Sequence, residues 1–151
     1  MRKLLLALSF CALFAGISSL DAEDLSSLAG KWSVKKTNDQ GQSFTQTIEV
    51  KKDKFVFQII GADDNVVLYA EGDLKVDKTG PFNSAKFYHI RGGQSASNLN
   101  DVDDEYVSIY TLDGDVWTMA SNFDKQRDQQ KPSLDSYKRV KAAEATTKSS
   151  K

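Results

Sequence analysis

The chain has 151 residues, with 20 Lys and Arg set against 21 Asp and Glu for a formal net charge of −1. Near-neutral charge of mixed sign lacks the basic footprint that nucleic acid or an anionic surface requires, so no nucleic-acid partner is expected. A single cysteine excludes an intrachain disulfide, and a single histidine leaves little for a nitrogen-and-sulfur metal site.

In chain order, the first element is a leader. Arg2 and Lys3 form a positive start, Leu4 to Ile17 is an apolar run, and Ser18-Ser19-Leu20-Asp21-Ala22 supplies small residues for a signal peptidase. The run has roughly 14 residues, short of the ~20 that a spanning helix needs. Residues 1–22 are therefore expected to be a signal peptide cleaved after Ala22, giving a periplasmic or extracellular product with no stable membrane span. A retained anchor is one alternative. A lipoprotein is another, since Leu8-Ser9-Phe10-Cys11 loosely resembles a lipobox, with Phe10 where that signal wants Gly or Ala. Cleavage removes the only cysteine, two basic residues and one acidic residue. The 129 residues that remain then carry 18 basic and 20 acidic side chains, a charge of −2. That length suits one domain with a core of its own, expected over 23–140.

Residues 23–29 read as one helical turn closing one end of the domain. Short runs rich in Val, Ile, Phe, Tyr and Thr follow at 31–37, 44–50, 54–60, 66–70, 72–77, 85–91, 106–112, 116–122 and 134–140. Turn-forming clusters separate them, among them Asn38-Asp39-Gln40-Gly41, Lys52-Asp53, Gly61-Ala62-Asp63-Asp64-Asn65 and Lys78-Thr79-Gly80-Pro81. Strands recurring about every 8–12 residues predict a barrel or sandwich. Gly72 reads as a bulge inside one long bent strand, which makes eight strands rather than nine. The expected fold is all-β: a single antiparallel up-and-down β-barrel of about eight strands. Residues 141–151 read as a disordered polar tail.

Residues 108–119 form the clearest hairpin. Asp113-Gly114 suits a type I′ turn, which sets Leu112 opposite Asp115, Tyr110 opposite Trp117 and Ser108 opposite Met119. The face with Tyr110, Leu112, Trp117 and Met119 is expected to point inward. The stretch 92–105 opens on Gly92-Gly93, is rich in Ser and Asn, and reads as a mobile connection that acts as a lid over an open end.

Leu28-x-Gly30-x-Trp32 at the first strand resembles the Gly-x-Trp signature of lipocalins and related calycin barrels. In those families a basic residue near the end of the last strand packs over this Trp, and Arg139 occupies the matching place. The resemblance assigns barrel closure to Gly30, Trp32 and Arg139. Together with Ile109-Tyr110-Thr111-Leu112-Asp113-Gly114-Asp115, the motif is similar to a lipocalin-like domain of unknown function found in planctomycete and similar bacterial secreted proteins. It covers most of 28–140. Lys131-Pro132-Ser133-Leu134 replaces an Arg-Pro-containing segment, and Trp117 stands where a smaller aliphatic is common. The resemblance implies the fold and supplies no catalytic residue.

Alternation places Val34, Phe55, Phe57, Ile59, Leu68, Leu74, Val76, Phe87, Tyr110, Leu112, Trp117 and Met119 inside. Such a barrel either fills its lumen or holds one small ligand there. The ligand-binding candidates are Phe55, Phe57, Phe87, Tyr110, Trp117 and Met119. His89, with Tyr88 beside it and Phe87 on the same face, reads as a surface or hydrogen-bonded histidine rather than a haem ligand or base, because no pattern supplies a nucleophile and an orienting acid. Asn100-Asp101-Val102-Asp103-Asp104-Glu105 offers oxygen ligands without EF-hand spacing and reads as a solvated acidic loop. The expectation is thus a non-enzymatic barrel, with no catalytic residue, metal or cofactor, that binds a small, apolar molecule. The alternative is a protein-interaction or inhibitor module of the cell envelope with a filled core.

Overall fold

A computed structural model describes residues 25–127 and 130–141; the leader 1–22 and the tail beyond Lys141 lie outside the described residues. A 3-10 turn, Leu25–Leu28, precedes nine strands. These are β1 (Gly30–Thr37), β2 (Ser43–Lys51), β3 (Lys54–Ile60), β4 (Val66–Thr79), β5 (Phe82–Ser95), β6 (Asn98–Val102), β7 (Tyr106–Asp113), β8 (Val116–Ser121) and β9 (Ser133–Arg139). All pair antiparallel in the order β4-β3-β2-β1-β9-β8-β7-β5-β6, and a further pairing of β4 with β5 closes the ring.

The ring has eight staves. β6 pairs with residues 90–95 of β5 and β7 pairs with residues 83–87, along the same edge, so β6 and β7 act as one strand interrupted at residues 103–105. Each connection is a hairpin, as an up-and-down barrel requires. The expected lid over 92–105 is corrected here. Gly92 and Gly93 continue β5 through a tight turn at residues 96–97 into β6. Glycine is used at this point for close approach, because a Cβ on Gly93 would run into the Asn98 carbonyl.

Gly72 does mark a bulge within the 14-residue β4. The extra residue, however, lies on β5: Glu71 pairs with Arg91 and Asp73 with Tyr88, so Gly72 faces both His89 and Ile90. His89 takes up the irregularity with φ 49°. Phe87 and Ile90 are both buried while the His89 side chain is 77% exposed, so Phe87 and His89 do not share a face.

The β7–β8 hairpin turns one residue later than expected. Asp113 pairs with Val116, Leu112 with Trp117 and Tyr110 with Met119, leaving Gly114-Asp115 as the two-residue turn. Gly114 alone of the two has a positive φ (55°), the pattern of a type II′ turn, which takes Gly at its first central position. Each cross-strand partner moves by two positions, so every side chain keeps its face. Tyr110, Trp117 and Met119 are buried inside as expected.

Candidate functional site

The two ends of the barrel differ. At one end lie the start of β1, the β2–β3, β4–β5 and β7–β8 turns and the end of β9, and here the 3-10 turn plugs the ring. Leu28 and Trp32 are fully buried, and Trp32 Nε1 donates to the Leu28 carbonyl at 2.8 Å. The Arg139 guanidinium covers the outer side of the Trp32 ring, 4.0 Å from its centroid. It also donates to the Ala29 carbonyl at 2.5 Å, the Ser27 carbonyl at 3.0 Å and Asp115 at 3.1 Å. Gly30 makes room for it: its φ is 117°, and a Cβ there would meet Arg139 Nη1 at 3.1 Å.

Above this plug the lumen has a solid floor. Trp117 packs edge-on to Trp32 (5.6 Å between centroids) and to Tyr110 (6.0 Å), and Phe55 packs edge-on to Phe87 (5.0 Å). Such pairs contribute about 0.5–1.5 kcal/mol each beyond area burial. All six expected ligand-contacting residues line the lumen. Phe55, Phe87, Tyr110, Trp117 and Met119 are buried in the floor, and Phe57 alone of the six is only partly buried.

Toward the other end, inward-facing residues stay half-buried. One wall is apolar: Val34 on β1, Phe57 and Ile59 on β3, and Ala70 and Leu68 on β4, the last 39% exposed. Polar side chains are interspersed on β1, β2 and β9 and on β7 and β8. Alternation from Trp32 and Tyr137 turns Lys36 and Asp135 inward, and their side chains form an ion pair at 2.7 Å while 28% and 17% exposed. Ser133 Oγ donates to the other Asp135 oxygen at 3.1 Å. Tyr137 donates to Gln46 at 3.0 Å, and Ser108 and Ser121 share a hydrogen bond at 2.8 Å. Burial, reinforced by the Asp135 charge, pushes the Tyr137 hydroxyl well above the ordinary phenol range, so it remains a neutral donor. Hydrophobicity alone does not place Lys36, Gln46 and Asp135 inside. Their two-residue spacing from Trp32, Ile48 and Tyr137 is the signal that places them inside.

The remaining polar candidates are paired among themselves. His89 Nδ1 lies 2.7 Å from Asp73, whose other oxygen also binds Lys54, on the outer surface. In the acidic run, Asp104 is held by Arg127 (2.8 Å) and Lys125. Arg127 also binds Asp124 at 2.7 Å and the Glu105 carbonyl at 2.6 Å, and it stacks 4.1 Å from the Tyr106 ring centroid. This clamp pins the β8–β9 connection against the break between β6 and β7. Among the described residues, no group of three His, Cys, Asp or Glu side chains is placed to hold a metal ion.

No protein-family model, curated protein or solved structure matches the chain.

Proposed function

We propose that this is an exported, non-enzymatic barrel of lipocalin-like type that binds one small, largely apolar molecule in the cup at its open end. The observation that carries the reading is the apolar wall: Val34, Phe57, Ile59, Leu68 and Ala70 keep accessible surface although they face the lumen. Covering such surface with a ligand returns roughly 25 cal/mol per Å2. The floor stops the ligand from reaching the plugged end, and the fluorescence of Trp117 in that floor offers a reporter of occupancy. Export rests on the leader, and the lipocalin likeness on Gly30, Trp32 and Arg139.

Native mass spectrometry on protein purified gently from its own host tests the reading. A bound mass that denaturation releases is expected, and Phe57→Glu removes it. A clean apo mass, with no fluorescence gain from 8-anilinonaphthalene-1-sulfonate in the presence of the protein, overturns it.

A second reading, a protein-interaction or inhibitor module, is favoured by exposed apolar side chains: Val67 near the start of β4 is 54% exposed, and Leu134 on β9 is 73% exposed. Under that reading, Val67→Lys or Leu134→Lys abolishes partner capture and leaves small-molecule binding intact.

A further inference from the structure

An ion pair inside the mouth of a barrel is costly to bury. Lys36 carries three N–H donors, and its contact with Asp135 Oδ1 at 2.7 Å occupies one of them. Asp135 accepts from Lys36 on one oxygen and from Ser133 on the other, with lone pairs left on both. The pair thus presents spare donors and spare acceptors side by side, with no net charge of its own.

Resting on the cup reading above, we propose that the ligand is an uncharged amphiphile. Its apolar body lies on the wall of β3 and β4, and its head is a neutral group carrying both an acceptor and a donor, such as a carboxamide, set across Lys36 and Asp135. An anionic head meets Asp135 as well as Lys36, and a cationic head meets Lys36 as well as Asp135, so each gains one attraction and suffers one repulsion. A zwitterionic head matches both charges but has to be stripped of its hydration and to part a pair already in contact. The neutral head leaves the pair intact and uses only the hydrogen-bonding capacity it has to spare.

The test is calorimetric titration of the full chain at pH 7 with four eight-carbon probes: octanamide, octanoate, octylammonium and 2-aminooctanoate. Octanamide is expected to bind about tenfold or more tightly than each of the other three. Asp135→Asn leaves Lys36 unopposed and raises octanoate to at least the level of octanamide. Lys36→Met does the same for octylammonium. Near-UV circular dichroism verifies the fold of both variants, and the ranking on the unaltered chain stands as a test if either misfolds. An ion or the zwitterion matching octanamide on the unaltered chain overturns the neutral-head inference and leaves the cup in place. Failure of all four probes, together with a clean native mass, removes the cup reading itself.

Discussion

Arg139 and Trp32 seal one end of the barrel as a single unit: the guanidinium lies 4.0 Å from the ring centroid while its nitrogens hold the Ala29 and Ser27 carbonyls. Arg139→Ala removes a cation–π contact of about 0.5–2 kcal/mol and leaves two carbonyls without their donor, so a total loss of roughly 2–4 kcal/mol is expected in urea unfolding. Arg139→Lys restores the charge but not the fork, and recovers less than half of that. Equal stability of the Lys variant and the unaltered protein would show that charge alone does the sealing.

The two tryptophans predict different costs for the same change. Trp32 Nε1 donates to Leu28 O at 2.8 Å, whereas the fully buried Trp117 Nε1 finds no acceptor among the described residues. Trp32→Phe therefore loses a buried hydrogen bond and a cation–π face, and Trp117→Phe loses packing only. Trp32→Phe is expected to cost about 1–2 kcal/mol more, measured by denaturant titration of both variants.

At Gly72 the backbones of β4 and β5 approach closely. A Cβ there would sit 2.7 Å from the Tyr88 carbonyl and 3.0 Å from Phe55 Cε1. Neither neighbour is free to withdraw, one being backbone and the other part of the floor. Gly72→Ala is expected to destabilise by roughly 1–3 kcal/mol through overpacking. A midpoint unchanged in urea would mean the bulge can open.

Asp104 ties the β8–β9 connection to the break between β6 and β7. Hydrogen bonds from Arg127 first, then Lys125, hold its carboxyl far below the usual carboxylate range. A depressed folded value stabilises the charged form, so this contribution is complete above the ordinary aspartate value near 3.8 and is lost as pH falls below it toward the folded value. Protection of residues 122–127 against hydrogen exchange, taken relative to an unstructured peptide at the same pH, should hold down to about pH 4 and fall below it. Asp104→Asn should show roughly tenfold faster exchange there already at pH 7, where the unaltered protein does not.

Much of this architecture was legible because a barrel repeats one simple rule. Alternation in Phe55, Phe57 and Ile59, or in Tyr110, Trp117 and Met119, announces a strand and its buried side together. Three features were hidden for separate physical reasons. The hairpin at Gly114 admits two turns that differ by two positions in pairing, and the hydrophobic pattern is blind to that shift. The end of β5 and the strand after it have a composition that reads as loop, because Gly92 and Gly93 serve a tight approach of two backbones. The inward polar pair was hidden because Lys36 and Asp135 look like surface residues in isolation, and only their parity with Trp32 and Tyr137 turns them inward.

The pairing of the first and last strands brings the ends of the folded domain together. Val140 donates to the Lys31 carbonyl at 2.7 Å, and Leu25 packs against the same plug. Anything fused before Leu25 or after Lys141 is therefore attached at the base, and the cup faces the opposite way. A fluorescent protein, a surface linker or a resin tether placed at either end leaves the opening unobstructed. Joining the two ends by a short linker and cutting at the Asn38–Gln42 turn would instead put the new termini on the rim.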